Sequence, residues 1–78
     1  MEKTLFEAVL QVISTGLVEK IIVEKGLDED IAMEKLYSSV LYLNLEKEDT
    51  KFWHYSVPKL YELWETEMKT GDPVIPEH

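Results

Sequence analysis

The side chains best suited to chemistry fall in two short runs. His54 is the only internal histidine, and it sits beside Tyr55 and Ser56. An imidazole within reach of a hydroxyl is the pairing from which a base-activated nucleophile is built. Such a site also needs an orienting group and a pocket, and no motif in the chain supplies either. A polar tip on an aromatic turn accounts for His54 more simply, so no catalytic residue is assigned. The second run is Asp28-Glu29-Asp30, with Glu34 about one helical turn further on. A calcium loop needs oxygen ligands at alternate positions, a glycine at its sixth and a glutamate at its twelfth. Asp28 and Asp30 begin that pattern, but Ile31, Ala32 and Met33 fill positions that need oxygen or glycine. Helix capping explains these acids better. No metal and no cofactor are expected, and Asp28, Glu29, Asp30 and Glu34 are read as an acidic face for a partner.

A third group, Phe52, Trp53, Tyr55, Tyr61 and Trp64, is rich in stacking surface. Stacking of nucleic-acid bases also needs a basic groove. Only Lys51 and Lys59 flank this stretch, against Glu62, Glu65 and Glu67. The aromatics therefore read as core. The whole chain agrees, with 16 acids, 8 basic residues, all of them lysine, and a formal charge of −8. Such a surface repels polyanions and attracts basic partners. It also lacks the planar fork with which arginine grips phosphate. No nucleic-acid partner is expected, although a helix-turn-helix near Gly26 is conceivable on spacing alone. Residues 28–50 are the most electronegative part, with seven acids against two lysines.

These residues have to be held by helices. Residues 3–25 carry apolar side chains at threes and fours, from Leu5 through Val9, Val12 and Leu17 to Ile21, and Gly26 follows as a left-handed cap. Gly16 weakens this helix by about 1 kcal/mol relative to alanine and marks a candidate break in it. Ile21-Ile22-Val23 would also suit a strand. A second helix over 28–38 starts at Asp28, with acids in its first turn. Ser38-Ser39 ends it and caps a third over about 40–46, whose residues VLYLNL would alternatively suit a strand. Residues 46–51 are a solvated turn. Ser56 and Pro58 open the last helix, 57–70, with Val57, Leu60, Tyr61, Trp64 and Met68 as its apolar stripe. Gly71 closes it, and Pro73 and Pro76 prevent its resumption. The expected fold is an all-α bundle of three to four helices, a single domain over 1–71 with a flexible tail over 72–78.

The first helix has a surplus. Twelve of the residues from 5 to 23 are apolar, and they surround most of its circumference. A helix that is apolar nearly all round is usually buried, and so short a chain has few partners for both sides. Self-association is the expectation, with Phe6, Leu10, Ile13 and Leu17 as the interface. The uncharged run over residues 8–18 is far shorter than the roughly 20 residues a membrane span needs. The start, Met1-Glu2-Lys3, lacks the basic region of a secretory signal. No membrane association and a cytoplasmic location are expected, in keeping with the absence of cysteine.

Glu34-x-x-Tyr37-Ser38, then Thr50-Lys51-Phe52-Trp53-His54-Tyr55-Ser56, then Leu60-Tyr61 up to Glu67-x-x-x-Gly71 is similar to a family of short, acidic, uncharacterised bacterial proteins. That family carries a Thr-x-x-Trp-x-x-Ser turn and a closing helix. The resemblance spans residues 20–71, is structural in kind, and implies no activity and no catalytic residue. The functional expectation is a non-catalytic acidic protein-binding module, a homodimer that engages a basic protein partner. The alternatives are a structural homo-oligomer subunit with no separate ligand and an antitoxin-like partner of a neighbouring protein.

Overall fold

In the computed structural model of the chain, which describes residues 2–71, the order is α1 (Lys3–Lys25), α2 (Glu29–Tyr37), α3 (Val40–Leu45) and α4 (Val57–Thr70). Two single turns of 3-10 helix, Glu48–Thr50 and Phe52–His54, join α3 to α4. No strand occurs among the described residues. The segments with strand-like composition, Ile21-Ile22-Val23 and Val40–Leu45, are both helical. Within these helices their backbone N–H and C=O groups are paired along the chain itself, without a neighbouring strand. The expected tail, residues 72–78, lies outside the described residues.

The boundaries follow from local chemistry. Gly26 is left-handed at φ 65° and donates its N–H to Ile22, ending α1. Gly71 does the same at φ 77° for α4, bonding Glu67. Ser39 accepts a hydrogen bond from the Tyr42 N–H and Ser56 from the Lys59 N–H, so both serines cap. Asp28 occupies the cap position of α2, but its side chain makes no capping bond. Its contribution there is the favourable placing of negative charge at a helix start, shared with Glu29 and Asp30.

Gly16 does not split α1, which runs unbroken through it. A side chain there would place its Cβ 3.1 Å from a methyl of Val57. The glycine thus lets the start of α4 approach α1 closely. Phe6, Ile13, Leu17 and Ile21 form the inward side of α1, joined in the core by Leu36, Leu45, Phe52, Leu60 and Trp64. Each fully buried side chain of this size contributes about 1.5–3 kcal/mol. Ser14 is the polar exception inside α1, and its hydroxyl donates to the Tyr42 hydroxyl at 3.1 Å.

The aromatic turn is held by polar bonds as much as by burial. The Thr50 hydroxyl donates toward the carbonyls of Asn44 and Lys47 and accepts from the Phe52 N–H. The Trp53 indole N–H donates to the Glu48 carbonyl at 2.9 Å, leaving the ring half-buried. Lys51 joins the two turns in a left-handed conformation at φ 60°. Thr50, Trp53 and Ser56 therefore set the loop and start α4.

Candidate functional site

The structure reassigns the two sides of α1. Phe6 and Leu17, expected at an interface, are 7% and 0% exposed within the single chain. Ile13 is also buried, and Leu10 is half-buried. Phe6, Ile13 and Leu17 are enclosed within the single chain, where α1 packs on α2 and α4, whereas Leu10 keeps part of its surface open. The outward side instead carries Leu5, Ala8, Val12, Thr15 and Glu19, spaced at threes and fours, and all five are exposed. Leu5 and Val12 are 58% and 73% exposed. Ala8, Val9, Val12 and Ile13 line a shallow apolar groove there. A second groove on the same side, lined by Ala8, Gln11, Val12 and Thr15, continues it along the helix.

Asp28, Glu29, Asp30 and Glu34 are all exposed on α2. None joins an ion pair among the described residues, which leaves their charge facing solvent. No group of three His, Cys, Asp or Glu side chains among the described residues is arranged to hold a metal ion. His54 is exposed and lies against the Trp53 ring, with centroids 4.2 Å apart. Its neighbour Ser56 is engaged as the α4 cap, and Tyr55 packs edge-on to Phe52. The pairing of base with nucleophile considered for this run is therefore not assembled. No helix among the described residues is long and apolar enough to cross a membrane.

Glu67 enters the sequence reading only as a flanking acid and as part of the closing-helix pattern, yet it is the most constrained carboxylate among the described residues. It is 8% exposed, and its two oxygens accept the N–H groups of Val40 at 2.8 Å and Leu41 at 2.9 Å. Met68, expected on the inward stripe of α4, is exposed instead. The start of α3 faces Glu67, and its free N–H groups need an acceptor more than an apolar cover. The buried polar set is complete: no buried side-chain nitrogen or oxygen among the described residues lacks a partner.

A polar cluster ties α1 to α4. Lys25 donates to Glu65 at 2.7 Å, and the Tyr61 hydroxyl donates to the same carboxylate oxygen at 3.2 Å. Lys69 approaches the other oxygen at 3.7 Å. The hydrogen bond that Lys25 donates to Glu65 holds the carboxyl below its ordinary value and raises that of the Lys25 ammonium. Burial pushes the Tyr61 phenol up. A carboxyl lowered by folding contributes stability at neutral pH that is lost as pH falls through its folded value. A lysine raised by folding contributes stability below its unfolded value that is lost as pH rises through its folded one. Denaturant unfolding across pH should show both limbs in the wild type. Glu65→Gln should flatten both, because the acid limb loses its titrating group and Lys25 loses its anion. Parallel pH profiles for the two proteins would remove Glu65 from this account.

No family model matches the chain, and neither does any curated protein or solved structure.

Proposed function

We propose that this chain is a non-catalytic, acidic protein-binding module that pairs with a second copy through the outward side of α1. The observation that carries the reading is the apolar strip of Leu5, Ala8 and Val12, placed on the side of α1 opposite its own core. Soluble monomers rarely leave contiguous apolar patches larger than a few hundred Å² in water. Ala8 lies midway along the strip, and a small residue at a crossing point allows two helices to approach closely. An antiparallel pairing about Ala8 sets Leu5 of one copy near Val12 of the other, so that a two-fold axis buries the strip symmetrically. The polar residues Thr15 and Glu19 bound it at one end, which limits the contact to the first half of α1.

Light scattering after size exclusion at micromolar concentration should give about twice the 9.1 kDa monomer mass. Val12→Glu should return the mass to that of the monomer while leaving the helical circular dichroism intact, since Val12 contributes nothing to the chain's own core. A wild type that stays monomeric at hundreds of micromolar would defeat the reading.

A further inference from the structure

We propose that the groove between α1 and α2 seats a lysine or arginine side chain from a basic, amphipathic segment of a partner protein. This rests on the reading of the chain as a protein-binding module, but not on its self-association. The groove has a volume of about 210 Å³. The less exposed part of its lining, the floor, is Val18, Ile22 and Met33, and its exposed rims carry one carboxylate from each helix, Glu19 from α1 and Glu29 from α2. Thr15 and Tyr37 complete the lining with neutral hydroxyls, and no lysine takes part.

The arrangement fits one kind of occupant. Lysine and arginine carry an apolar stem ending in a cation, and they lay that stem along apolar surface while the head stays near water. Here the stem would cover Val18, Ile22 and Met33, and the head would reach the carboxylates at the rims. An anionic head would meet two like charges, and a wholly apolar side chain would leave both acids without a counter-ion at the edge of a partly desolvated groove. Glu19 and Glu29 are exposed and join no ion pair among the described residues, so no internal partner has to be displaced. The Tyr37 ring is braced edge-on against Tyr42, with centroids 4.8 Å apart, which fixes one wall. Asp28, Asp30 and Glu34 extend the negative field along α2. That field would steer a basic segment toward the groove and recruit its further lysines.

The test is a nuclear magnetic resonance titration of the full chain with a leucine–lysine amphipathic helical peptide. The largest amide shifts are expected at Thr15, Val18, Glu19, Glu29, Met33 and Tyr37. The double variant Glu19→Gln/Glu29→Gln should weaken binding about tenfold, the loss expected from two partly exposed charge pairs. The double variant Asp30→Asn/Glu34→Gln removes the same formal charge from α2 outside the groove and should weaken it less than about threefold, through the long-range field alone. Each variant loses one helix-start charge of α2, Glu29 in the first and Asp30 in the second, and none of the four side chains is buried, so both should keep the wild-type spectrum away from the substitutions. Equal loss in the two variants would reduce the interaction to diffuse charge attraction and overturn the groove. Shifts confined to the Leu5–Val12 strip would assign the peptide to the self-association surface instead. No binding at millimolar peptide would overturn the proposal, and a dimeric mass measured on the same sample would show that the self-association reading survives it.

Discussion

Trp64→Ala should remove about 3–5 kcal/mol of stability, the usual consequence of emptying a large aromatic site in a packed core. The ring is 1% exposed, and no larger side chain is so fully enclosed in this fold. It packs in α4 beside Tyr61, with ring centroids 5.8 Å apart, and its N–H points at the Lys35 carbonyl of α2 at 3.4 Å. One side chain thus links α4 to α2. A domain of this length has about 4–12 kcal/mol in total, so the variant should lie at the edge of folding. Its thermal midpoint should drop by about 15–30 °C. Trp64→Phe should cost about half as much, because most of the volume is kept. Trp53→Ala, at a half-buried turn position, should cost about 1–2 kcal/mol. Urea unfolding followed by circular dichroism checks the order. A Trp64→Ala protein no less stable than Trp53→Ala would show that the core does not depend on this ring.

Trp64 was legible in the sequence because two local signals coincide there. Ser56 and Pro58 fix where α4 starts, and the spacing of Leu60, Tyr61 and Trp64 then fixes which side is apolar. The same reasoning locates Gly26, Ser39 and Gly71 as stops and caps, since each acts on backbone groups within a few residues of itself. The two sides of α1 were less legible. Both are apolar, and periodicity alone does not say which one α2 and α4 will cover. A signal was present in the continuation of each stripe. The inward one runs from Phe6 through Ile13 and Leu17 to Ile21 and stays large and apolar. The outward one, Leu5, Ala8 and Val12, shrinks and then becomes polar at Thr15 and Glu19. The longer and bulkier stripe buries more area, and it forms the core. The α1–α2 groove was hidden for a different reason. Glu19 and Glu29 are ten positions apart and share a rim only because the chain reverses at Gly26.

Glu67 is the case that local reasoning cannot reach, since its partners lie more than two dozen residues earlier in the chain. Its substitution should give the second large effect. The helix α3 has only six residues, and a helix that short does not persist in water without help from outside itself. Ser39 satisfies the N–H of Tyr42, and Glu67 satisfies those of Val40 and Leu41. The carboxylate also places negative charge at the positive end of α3. Glu67→Ala leaves two donors without an acceptor. Val40 is exposed enough for water to replace its bond, whereas Leu41 is 3% exposed and its N–H would stay bare. Hydrogen bonds to a charged group contribute about 1.5–3 kcal/mol each, and a bare buried donor costs about 1–3 kcal/mol. A total loss of about 3 kcal/mol follows, with water at Val40 recovering part of the first bond. Glu67→Gln should lose about half as much, since its carbonyl can accept one N–H while its amide nitrogen opposes the other. Met68→Ala, one position further along α4 on the exposed side, should stay within about 0.5 kcal/mol of wild type. Hydrogen exchange adds a local readout: in Glu67→Ala the amides of Leu43, Asn44 and Leu45 should lose protection well before those of Leu17 and Ile21. If Glu67→Ala unfolds at the wild-type urea concentration, or if α3 exchanges no faster than α1, then this carboxylate does not hold α3 in place.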